Sequence, residues 1–563
     1  MSVYYLAEDN PWWRPDFLSY LEELRGRLRG LPEEEVRYRA RLPLLGRLSD
    51  IDPMLRELKA EGEFDLRRVY RPRLLYLLRE NLAGDARGGY TILSLRGPRR
   101  VGKTTSIKLL VAELLIESLI RPDLFNPLKI AYVRCDAYWV RSYRDLVEAL
   151  RELLARREAH PGEFYLFLDE VSTLKNWQLA VKDLYDSGQL AKHKAKVLVA
   201  GSHRLDVKRG AEALALRRGL MFEGGNDKLY LPMKFPEYVA YREELSGRKE
   251  LLSILTWEGF IKAEARREAF KELIDPDGNI PRLIEHLEPY LDTLYAYLDD
   301  YFVTGGYPLA ILQYVERGRI APEVYFEYVD LMVKDAARWG LSEELLLSVI
   351  HELLAPPLGP CSTTPIKEVS LNALAGRVGV SHNTVKNYLD YLVEAFVLHE
   401  VSKLKDPARL TTTPKTPKKY YFWDPLICTA LRSITYGVGD PYTLAAQRIS
   451  EWKPTLLETC TVINVAHLSM SLEVFQDLRL LRRKTYYYKS RTGREIDLML
   501  HFMDKLVPIE VYAGHRPNAA HIKKVDEVSR QLRVRGLLVH GGRELRVSKN
   551  YVLIPAPLLL ALA

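Results

Sequence analysis

The sequence predicts a multidomain α/β protein built around a parallel sheet that helices cover on both faces. Between residues 90 and 200, short apolar runs alternate with stretches in which apolar residues recur at helical spacing. The chain has 563 residues, which is too long for a single domain. Hydrophobic residues make up 47% of the chain and charged residues 28%, so the composition is that of a globular protein with enough material for several cores.

Four apolar runs are the predicted strands of this sheet: residues 90–95, 130–135, 164–168 and 197–200. The helical patterns lie between them, at 107–115, 146–154 and 177–185. Residues 230–355 lose the strand pattern and are charged and helical, and strand patterns return after residue 450. We therefore predict five segments: an N-terminal helical region (1–85), an α/β core (86–230), a helical lid (231–355), a winged helix-turn-helix (356–440) and a small α/β domain (441–563).

A phosphate-binding loop follows the first predicted strand. The loop and the start of the next helix read Gly97, Pro98, Arg99, Arg100, Val101, Gly102, Lys103, Thr104 and Thr105. The pattern GxxxxGK[ST] between a strand and a helix is a P-loop, in which backbone N–H groups surround phosphate oxygens. We expect Lys103 to reach the β- and γ-phosphates of ATP and Thr104 to bind Mg²⁺. The core is therefore predicted to be a P-loop NTPase domain.

Two carboxylates follow the apolar strand at 164–168, where ligands bind in open α/β sheets. Asp169 is expected to hold Mg²⁺, and Glu170 to polarise the attacking water, which predicts hydrolysis of ATP. Ser202 or His203, after the strand at 197–200, is a candidate γ-phosphate sensor. Arg217 and Arg218 are candidates for stabilising transition-state charge, in cis or from a neighbouring copy in an oligomer.

With these motifs, the chain resembles the archaeal and bacterial AAA-like ATPases that carry a C-terminal domain of unknown function. The resemblance spans roughly residues 70 to 515. The matching segments are GPRRVGKTT from Gly97, LDEVSTLKNWQLAVKDLYDSG from Leu168, VLVAGSHR from Val197, LPMKFPEY from Leu231 and YFVTGGYP from Tyr301. It implies an ATPase core with a helical lid, then a winged helix, then a segment similar to the PD-(D/E)xK nuclease fold. The long charged insert at about 240–290 departs from the family pattern.

A helix-turn-helix pattern lies at 371–392, with Ser381 as a natural N-cap of its second helix. The outward residues of that helix and the basic loop of the following wing are candidate DNA contacts. The candidates are Asn383, Thr384, Lys386, Asn387, Lys415, Lys418 and Lys419. A protein-binding module is the alternative interpretation, because winged helices also serve as interaction modules.

The C-terminal segment has the helix–strand–strand–strand order of the nuclease-like fold. Asp497 and Glu510 would be paired carboxylates at strand ends, with Glu458 on a preceding helix as a possible third. The nuclease pattern requires a lysine two residues after Glu510, but this position is Tyr512. Lys523 or Lys524 on the next helix could replace it. We expect a degenerate nuclease site that is retained for binding.

The composition excludes some functions. No apolar run is long enough to cross a bilayer, and residues 1–10 lack the pattern of a secretory signal, so we expect a cytoplasmic protein. The four cysteines are scattered without a CxxC pair, which predicts free thiols rather than a disulfide framework or a zinc site. The predicted function is a Mg²⁺-dependent ATPase that moves a winged helix on DNA. The alternatives are a nucleotide-gated switch that binds a protein partner and an ATP-dependent nuclease.

Overall fold

The computed structural model describes residues 2–69, 89–202, 226–255, 263–355, 366–407, 410–412, 417–469, 483–490 and 493–563, the side chains of residues 2, 3, 263 and 264 excepted. The chain divides into two compact units. The first comprises Met1–Gly97 and Val101–Tyr230, and the second comprises Pro98–Arg100 and Leu231–Ala563. The finer division into five segments stays a prediction.

The first unit contains a helical N-terminal part and a five-stranded sheet with its helices. Its helices are α1 (Ser2–Asp9), α2 (Pro15–Arg27), α3 (Glu33–Ile51), α4 (Pro53–Arg56), α5 (Lys103–Ile120), α6 (Tyr143–Arg156), α7 (Gln178–Asp186) and α8 (Gln189–Lys192). Its strands are β1 (Lys59–Ala60), β2 (Glu63–Phe64), β3 (Thr91–Arg96), β4 (Ile130–Arg134), β5 (Tyr165–Asp169), β6 (Lys196–Gly201) and β7 (Asp227–Leu229).

The strand order of the five-stranded sheet is β4-β5-β6-β3-β7, and all neighbouring strands are parallel. Every residue of β3, β5 and β6 is buried, as expected for near-continuous apolar strands that helices cover on both faces. Because the strands are parallel, their carboxyl ends lie at one edge of the sheet. The strand β6 lies between β3 and β5, so the loop after β3 and the end of β5 are separated by one strand.

The N-terminal residues complete the edge strand β4. The Asn10 side-chain amide donates to the carbonyl of Tyr132 at 2.8 Å and accepts from its N–H at 2.6 Å, as a neighbouring strand would. The indole N–H groups of Trp12 and Trp13 both donate to the carbonyl of Ile130, at 2.9 and 3.0 Å. These contacts satisfy backbone groups that an open sheet edge would leave unpaired. They make the N-terminal residues part of the nucleotide-binding fold.

The second unit contains fourteen helices within the described ranges. They are α9 (Phe235–Ser246), α10 (Glu250–Leu255), α11 (Ala263–Ile274), α12 (Arg282–Leu287), α13 (Leu291–Thr304), α14 (Pro308–Arg317), α15 (Pro322–Arg338), α16 (Glu343–Leu354), α17 (Leu371–Val378), α18 (His382–Glu394), α19 (Pro425–Thr435), α20 (Pro441–Leu468), α21 (Ala519–Leu532) and α22 (Ala556–Leu562). Its strands are β8 (Leu398–Asp406), β9 (Thr411–Thr412), β10 (Lys418–Phe422), β11 (Thr485–Lys489), β12 (Glu495–Phe502), β13 (Lys505–Tyr512), β14 (Gly536–His540), β15 (Arg546–Val547) and β16 (Tyr551–Pro555).

These strands form one mixed sheet of order β10-β8-β11-β12-β13-β14-β16-β15, with β9 paired to β8. The predicted wing is the antiparallel pair of β8 and β10. The strand β8 also pairs in parallel with β11, so the predicted wing and the C-terminal strands share a single sheet. This sheet therefore includes strands from both sides of residue 440, the predicted boundary between the last two segments.

A buried carboxylate joins two parts of the second unit. Asp424 caps α19 by accepting from the N–H of Leu426 at 2.8 Å, and it accepts from the N–H of Gly306 at 2.7 Å. Gly305 has φ 59° and ψ −160°, a conformation essentially restricted to glycine. A Cβ at Gly305 would also lie 1.9 Å from an Asp424 oxygen. The packing of this carboxylate therefore explains Gly305, whereas Gly306 is explained by the Met233 backbone, whose carbonyl oxygen would lie 2.2 Å from a Cβ at that position.

Two further findings concern the chemistry of the chain. Cys135 and Cys460 are free and buried, whereas Cys428 is disulfide-bonded. This corrects the expectation of free thiols, because the tertiary fold rather than sequence spacing decides which sulfur atoms meet. Among the described residues, no helix combines the length and apolar character that crossing a membrane requires.

Candidate functional site

The phosphate loop begins where β3 ends, and α5 starts at Lys103. Gly102 has φ 100°, the left-handed region that favours glycine, and Arg100 has φ 62°. A Cβ at Gly97 would lie 1.8 Å from the carbonyl oxygen of Tyr230. The glycines are therefore required by a backbone conformation at Gly102 and by a close backbone approach at Gly97.

The side chain of Lys103 is held at the loop. It is buried, and its ammonium group donates to the carbonyl oxygen of Gly97 at 2.9 Å. The Tyr230 N–H donates to the carbonyl of Arg96 at 2.6 Å, and the Tyr230 hydroxyl bonds to Ser106 of α5. Thr104 and Thr105, in the first turn of α5, are partly exposed. This arrangement keeps the lysine and the helix N-terminus beside the loop, as phosphate binding requires.

Pro98, Arg99 and Arg100 group with the second unit. There, the Arg99 guanidinium makes two hydrogen bonds to Asp335 of α15, at 2.9 and 3.0 Å. Arg100 pairs with Glu327 on the same helix at 2.5 Å, and both of these side chains are nearly half exposed. The sequence predicted these arginines as part of the phosphate loop but did not indicate their partners.

Asp169 and Glu170 lie at the carboxyl end of β5. The Asp169 side chain is buried and accepts from the Tyr132 hydroxyl and from the backbone N–H of Glu170, both at 2.9 Å. Burial raises the pKa of Tyr132, and the Asp169 carboxylate adds to this, so the tyrosine stays a donor. Glu170 has φ 50°, an uncommon conformation for a residue other than glycine. Glu170 thus turns away from the strand direction directly after Asp169.

Ser202 follows β6, between the phosphate loop and the end of β5. It is buried, and its N–H and hydroxyl both lie 3.3 Å from the hydroxyl oxygen of Ser172. The parallel sheet therefore brings together Gly97 after β3, Asp169 at the end of β5 and Ser202 after β6. The candidate residues His203, Arg217 and Arg218 lie outside the described residues.

The candidate DNA contacts on α18 lie largely at the surface. Asn383, Lys386 and Asn387 are exposed and Thr384 is partly exposed, while Val385 and Leu389 face the core. Lys386 pairs with Asp390 at 2.7 Å. The helix begins at a Ser381 N-cap, as its sequence predicted.

The wing contributes less positive charge than its sequence predicted. Lys419 is wrong as a DNA contact, because its ammonium group is buried and pairs with Glu495 at 2.7 Å and with Glu458 at 3.4 Å. Lys418 pairs with Glu400 at 2.7 Å. Lys415 lies outside the described residues. Lys419 is buried because β10 pairs with β8, which directs its side chain into the unit rather than toward solvent.

The three carboxylates of the predicted nuclease-like site have protein partners. Glu458 accepts from Lys419 and from the Tyr421 hydroxyl, Glu510 pairs with Lys524, and Asp497 accepts from the N–H of Val511 at 2.9 Å. Burial, with the nearby Asp497, raises the pKa of Glu510, and the Lys524 ammonium group opposes this by stabilising the carboxylate.

A divalent cation does not fit this cluster, because lysine ammonium groups already neutralise Glu458 and Glu510. Lys524, rather than Lys523, is the lysine that reaches the carboxylates. Among the residues that the structure describes, no group of three or more His, Cys, Asp or Glu side chains could hold a metal ion.

The edge of the first sheet, in contrast, fits a nucleotide and its cation. Backbone N–H groups at a glycine loop and a helix N-terminus suit phosphate oxygens. The Thr104 hydroxyl and the Asp169 carboxylate are oxygen donors of the type that Mg²⁺ prefers. These residues would hold the ion, and the ion would neutralise phosphate charge.

Three residues at the site were missed by the sequence reasoning: Tyr132, Ser172 and Tyr230. Ser172 follows the Asp–Glu pair by two residues, so its proximity could have been suspected from the chain. The others reach the site through strand pairing or helix packing over long sequence separations. No local pattern could have identified them.

Comparisons with known proteins identify the class of this domain. Residues 89–239 match a family described as an AAA domain. Residues 295–436 and 472–559 match two domains of unknown function, DUF8612 and DUF4143. The chain therefore carries an AAA-type P-loop ATPase domain, and this confirms the resemblance for the core. No curated protein matches the chain.

Several solved structures are similar in part. A Walker-type ATPase of Pyrococcus abyssi has 12% identity and a TM-score of 0.34, covering 65% of this chain and 100% of its own. The Orc1 protein of Aeropyrum pernix in complex with DNA has 14% identity and a TM-score of 0.28, covering 66% and 92%. RuvB of Thermotoga maritima has 17% identity and a TM-score of 0.25, covering 61% and 89%. At these TM-scores, the similarity carries no argument about function.

Proposed function

We propose that this chain binds Mg·ATP at residues 97–105 and hydrolyses it, with Glu170 orienting the attacking water. One observation carries the proposal: the phosphate loop, Ser202 and the Asp169–Glu170 pair all lie at the carboxyl edge of one parallel sheet. Lys103 contacts the phosphates, while Thr104 and Asp169 hold the cation. Glu170 directly follows Asp169 at this edge, the position from which a carboxylate can orient and polarise the attacking water.

The experiment is ATP turnover by the wild-type chain and by Glu170→Gln, with binding of a fluorescent ATP analogue measured in parallel. Removing a general base lowers turnover by roughly 10²- to 10⁴-fold. We expect the analogue to bind with unchanged affinity, because the substitution preserves size and the phosphate loop. Glu148→Gln on the exposed face of α6 is the matched control. Equal turnover by wild type and Glu170→Gln would refute the assigned role, and no binding by wild type would refute the nucleotide site.

We further propose that the nucleotide state is transmitted to the helix-turn-helix at 371–394, which acts on DNA. The exposed Asn383, Lys386 and Asn387 support this, since polar and basic residues on the second helix are typical of DNA contacts. A protein partner is the alternative, and the neutralised lysines of the wing favour it. The carboxylate cluster gives no support to a nuclease.

Titration of labelled duplex DNA at several salt concentrations separates these alternatives. Lys386→Ala should weaken binding and reduce the salt slope by about one unit if Lys386 contacts a phosphate. Lys523→Ala is a matched control, because Lys523 also faces an acidic residue four positions later on a helix. Absence of DNA affinity, or affinity that is insensitive to salt, would favour the protein partner.

A further inference from the structure

The ion pair between Arg99 and Asp335 lies wholly within the second unit and is well formed. The guanidinium Nε and Nη2 atoms reach the two carboxylate oxygens at 3.0 and 2.9 Å, which is bidentate geometry. The two side chains are only 22% and 14% exposed, so solvent screens this pair far less than a surface pair. Arg338 adds a longer contact to the same carboxylate, at 3.5 Å.

The turn of α15 that carries Asp335 is also bonded to the second helix of the helix-turn-helix. The Tyr391 hydroxyl of α18 donates to the carbonyl of Met332 at 2.6 Å, one helical turn before Asp335. Burial raises the pKa of Tyr391, to which the Asp335 carboxylate adds and which Arg99 opposes, so the hydroxyl stays a donor to the Met332 carbonyl. A single turn of α15 therefore contacts both a phosphate-loop residue and α18.

We propose that Asp335 is a positioning residue that fixes the phosphate loop and couples it to the helix-turn-helix. Through Arg99, Asp335 holds the centre of the loop, where Arg100 has a positive φ that is costly outside glycine. Through the backbone at Met332, the same turn holds Tyr391. A change in the loop when nucleotide binds is thereby transmitted to α18. The inference rests on the proposed nucleotide site.

Asp335 rather than Glu327 carries this role. The Arg100–Glu327 pair is 45% and 47% exposed, and exposed pairs contribute little. The Arg99–Asp335 pair is partly buried and bidentate, and its loss removes both carboxylate oxygens that accept from the Arg99 guanidinium. The loop would then sample conformations that do not match a triphosphate.

The test measures the affinity of a fluorescent ATP analogue in the non-hydrolysing Glu170→Gln background. Asp335→Asn removes the charge but keeps the size, and we expect roughly tenfold weaker binding, which corresponds to about 1.4 kcal/mol. Asp335→Glu should restore most of the affinity. Asp330→Asn, an exposed aspartate on the same helix, controls for the loss of one negative charge. We expect less than twofold change for this control.

Tyr391→Phe provides the second measurement. It removes only the hydroxyl that donates to the carbonyl of Met332. If α18 were not coupled to the phosphate loop, this change would leave nucleotide affinity unaltered. We expect a severalfold change in nucleotide affinity with an unchanged unfolding temperature. If the parent protein binds no nucleotide, the proposed function fails. If it binds, and Asp335→Asn and Tyr391→Phe both behave like Asp330→Asn, the coupling is refuted while the nucleotide site stands.

Discussion

The buried carboxylate of Asp424 should make the stability of the second unit depend on pH. Burial raises the pKa of Asp424 from 3.8 to about 7, and its two backbone N–H donors only partly oppose this. The folded state therefore binds the proton more tightly than the unfolded chain does. Its contribution to stability is present below pH 4 and is lost as the pH rises toward 7. One pKa unit corresponds to about 1.4 kcal/mol, so the ionisation cost grows by about 2–3 kcal/mol between pH 5 and pH 8.

Asp424→Asn removes this ionisation. The variant also loses one acceptor oxygen, so one of the N–H groups of Gly306 and Leu426 loses its partner at a cost of roughly 1–3 kcal/mol at every pH. We expect the variant to be less stable than wild type at pH 5 and to lose that disadvantage, or reverse it, at pH 8. The physical reason is that at pH 8 only the wild type carries a buried negative charge, which destabilises its folded state.

The assay is urea unfolding of both proteins at pH 5, 6.5 and 8, followed by tryptophan fluorescence. All other titrating groups cancel in the difference between wild type and variant. Asp440→Asn is the matched control, because Asp440 also caps a helix but lies at the surface, where its pKa is lowered instead of raised. Parallel pH profiles for wild type and Asp424→Asn would refute the reasoning, since they would show that Asp424 is not a perturbed carboxyl.

Two further substitutions test the structural account. Gly97→Ala places a Cβ 1.8 Å from the Tyr230 carbonyl and should weaken nucleotide binding at least about tenfold, because a backbone atom cannot move aside as a side chain can; Gly46→Ala, with open space around its Cβ, is the control. Lys419→Ala leaves the buried carboxylate of Glu458 without its lysine and removes the nearer of two lysines that pair with Glu495, so it should lower the urea-unfolding free energy by roughly 3–5 kcal/mol. An unfolding midpoint equal to that of Lys405→Ala, at an exposed position, would contradict the buried pair.

Much of the first unit could be predicted because its signals are local. The buried strands of a parallel sheet are continuous apolar runs, and the predicted strand at 164–168 differs by only one residue from the observed Tyr165–Asp169. The phosphate loop is contiguous in sequence, so its residues and the helix that follows them could be read directly. The roles of the N-terminal residues could not be read, because Asn10, Trp12 and Trp13 bond to a strand more than 110 residues away.

The wing contains two adjacent lysines whose different surroundings the local sequence does not reveal. Lys418 and Lys419 are adjacent lysines in a basic segment, and sequence alone predicts both to be solvated. Alternation along β10 directs adjacent side chains to opposite faces, so the two lysines have different surroundings. The partners of Lys419 come from α20 and β12, which lie 39 and 76 residues further along the chain. Long-range strand pairing decided the role of this lysine.

The same physics explains why the nucleotide site and the carboxylate cluster differ in what they can do. At the edge of the first sheet, Asp169 is held by a neutral tyrosine hydroxyl and a backbone N–H, so its negative charge remains available to a cation. In the second unit, Glu458 and Glu510 each face a lysine ammonium group, which supplies within the chain the positive charge that a metal ion would otherwise bring. Both places carry carboxylates at strand ends or beside them. The charge of the neighbouring donor, rather than the carboxylates themselves, distinguishes the proposed catalytic site from the carboxylate cluster of the second unit.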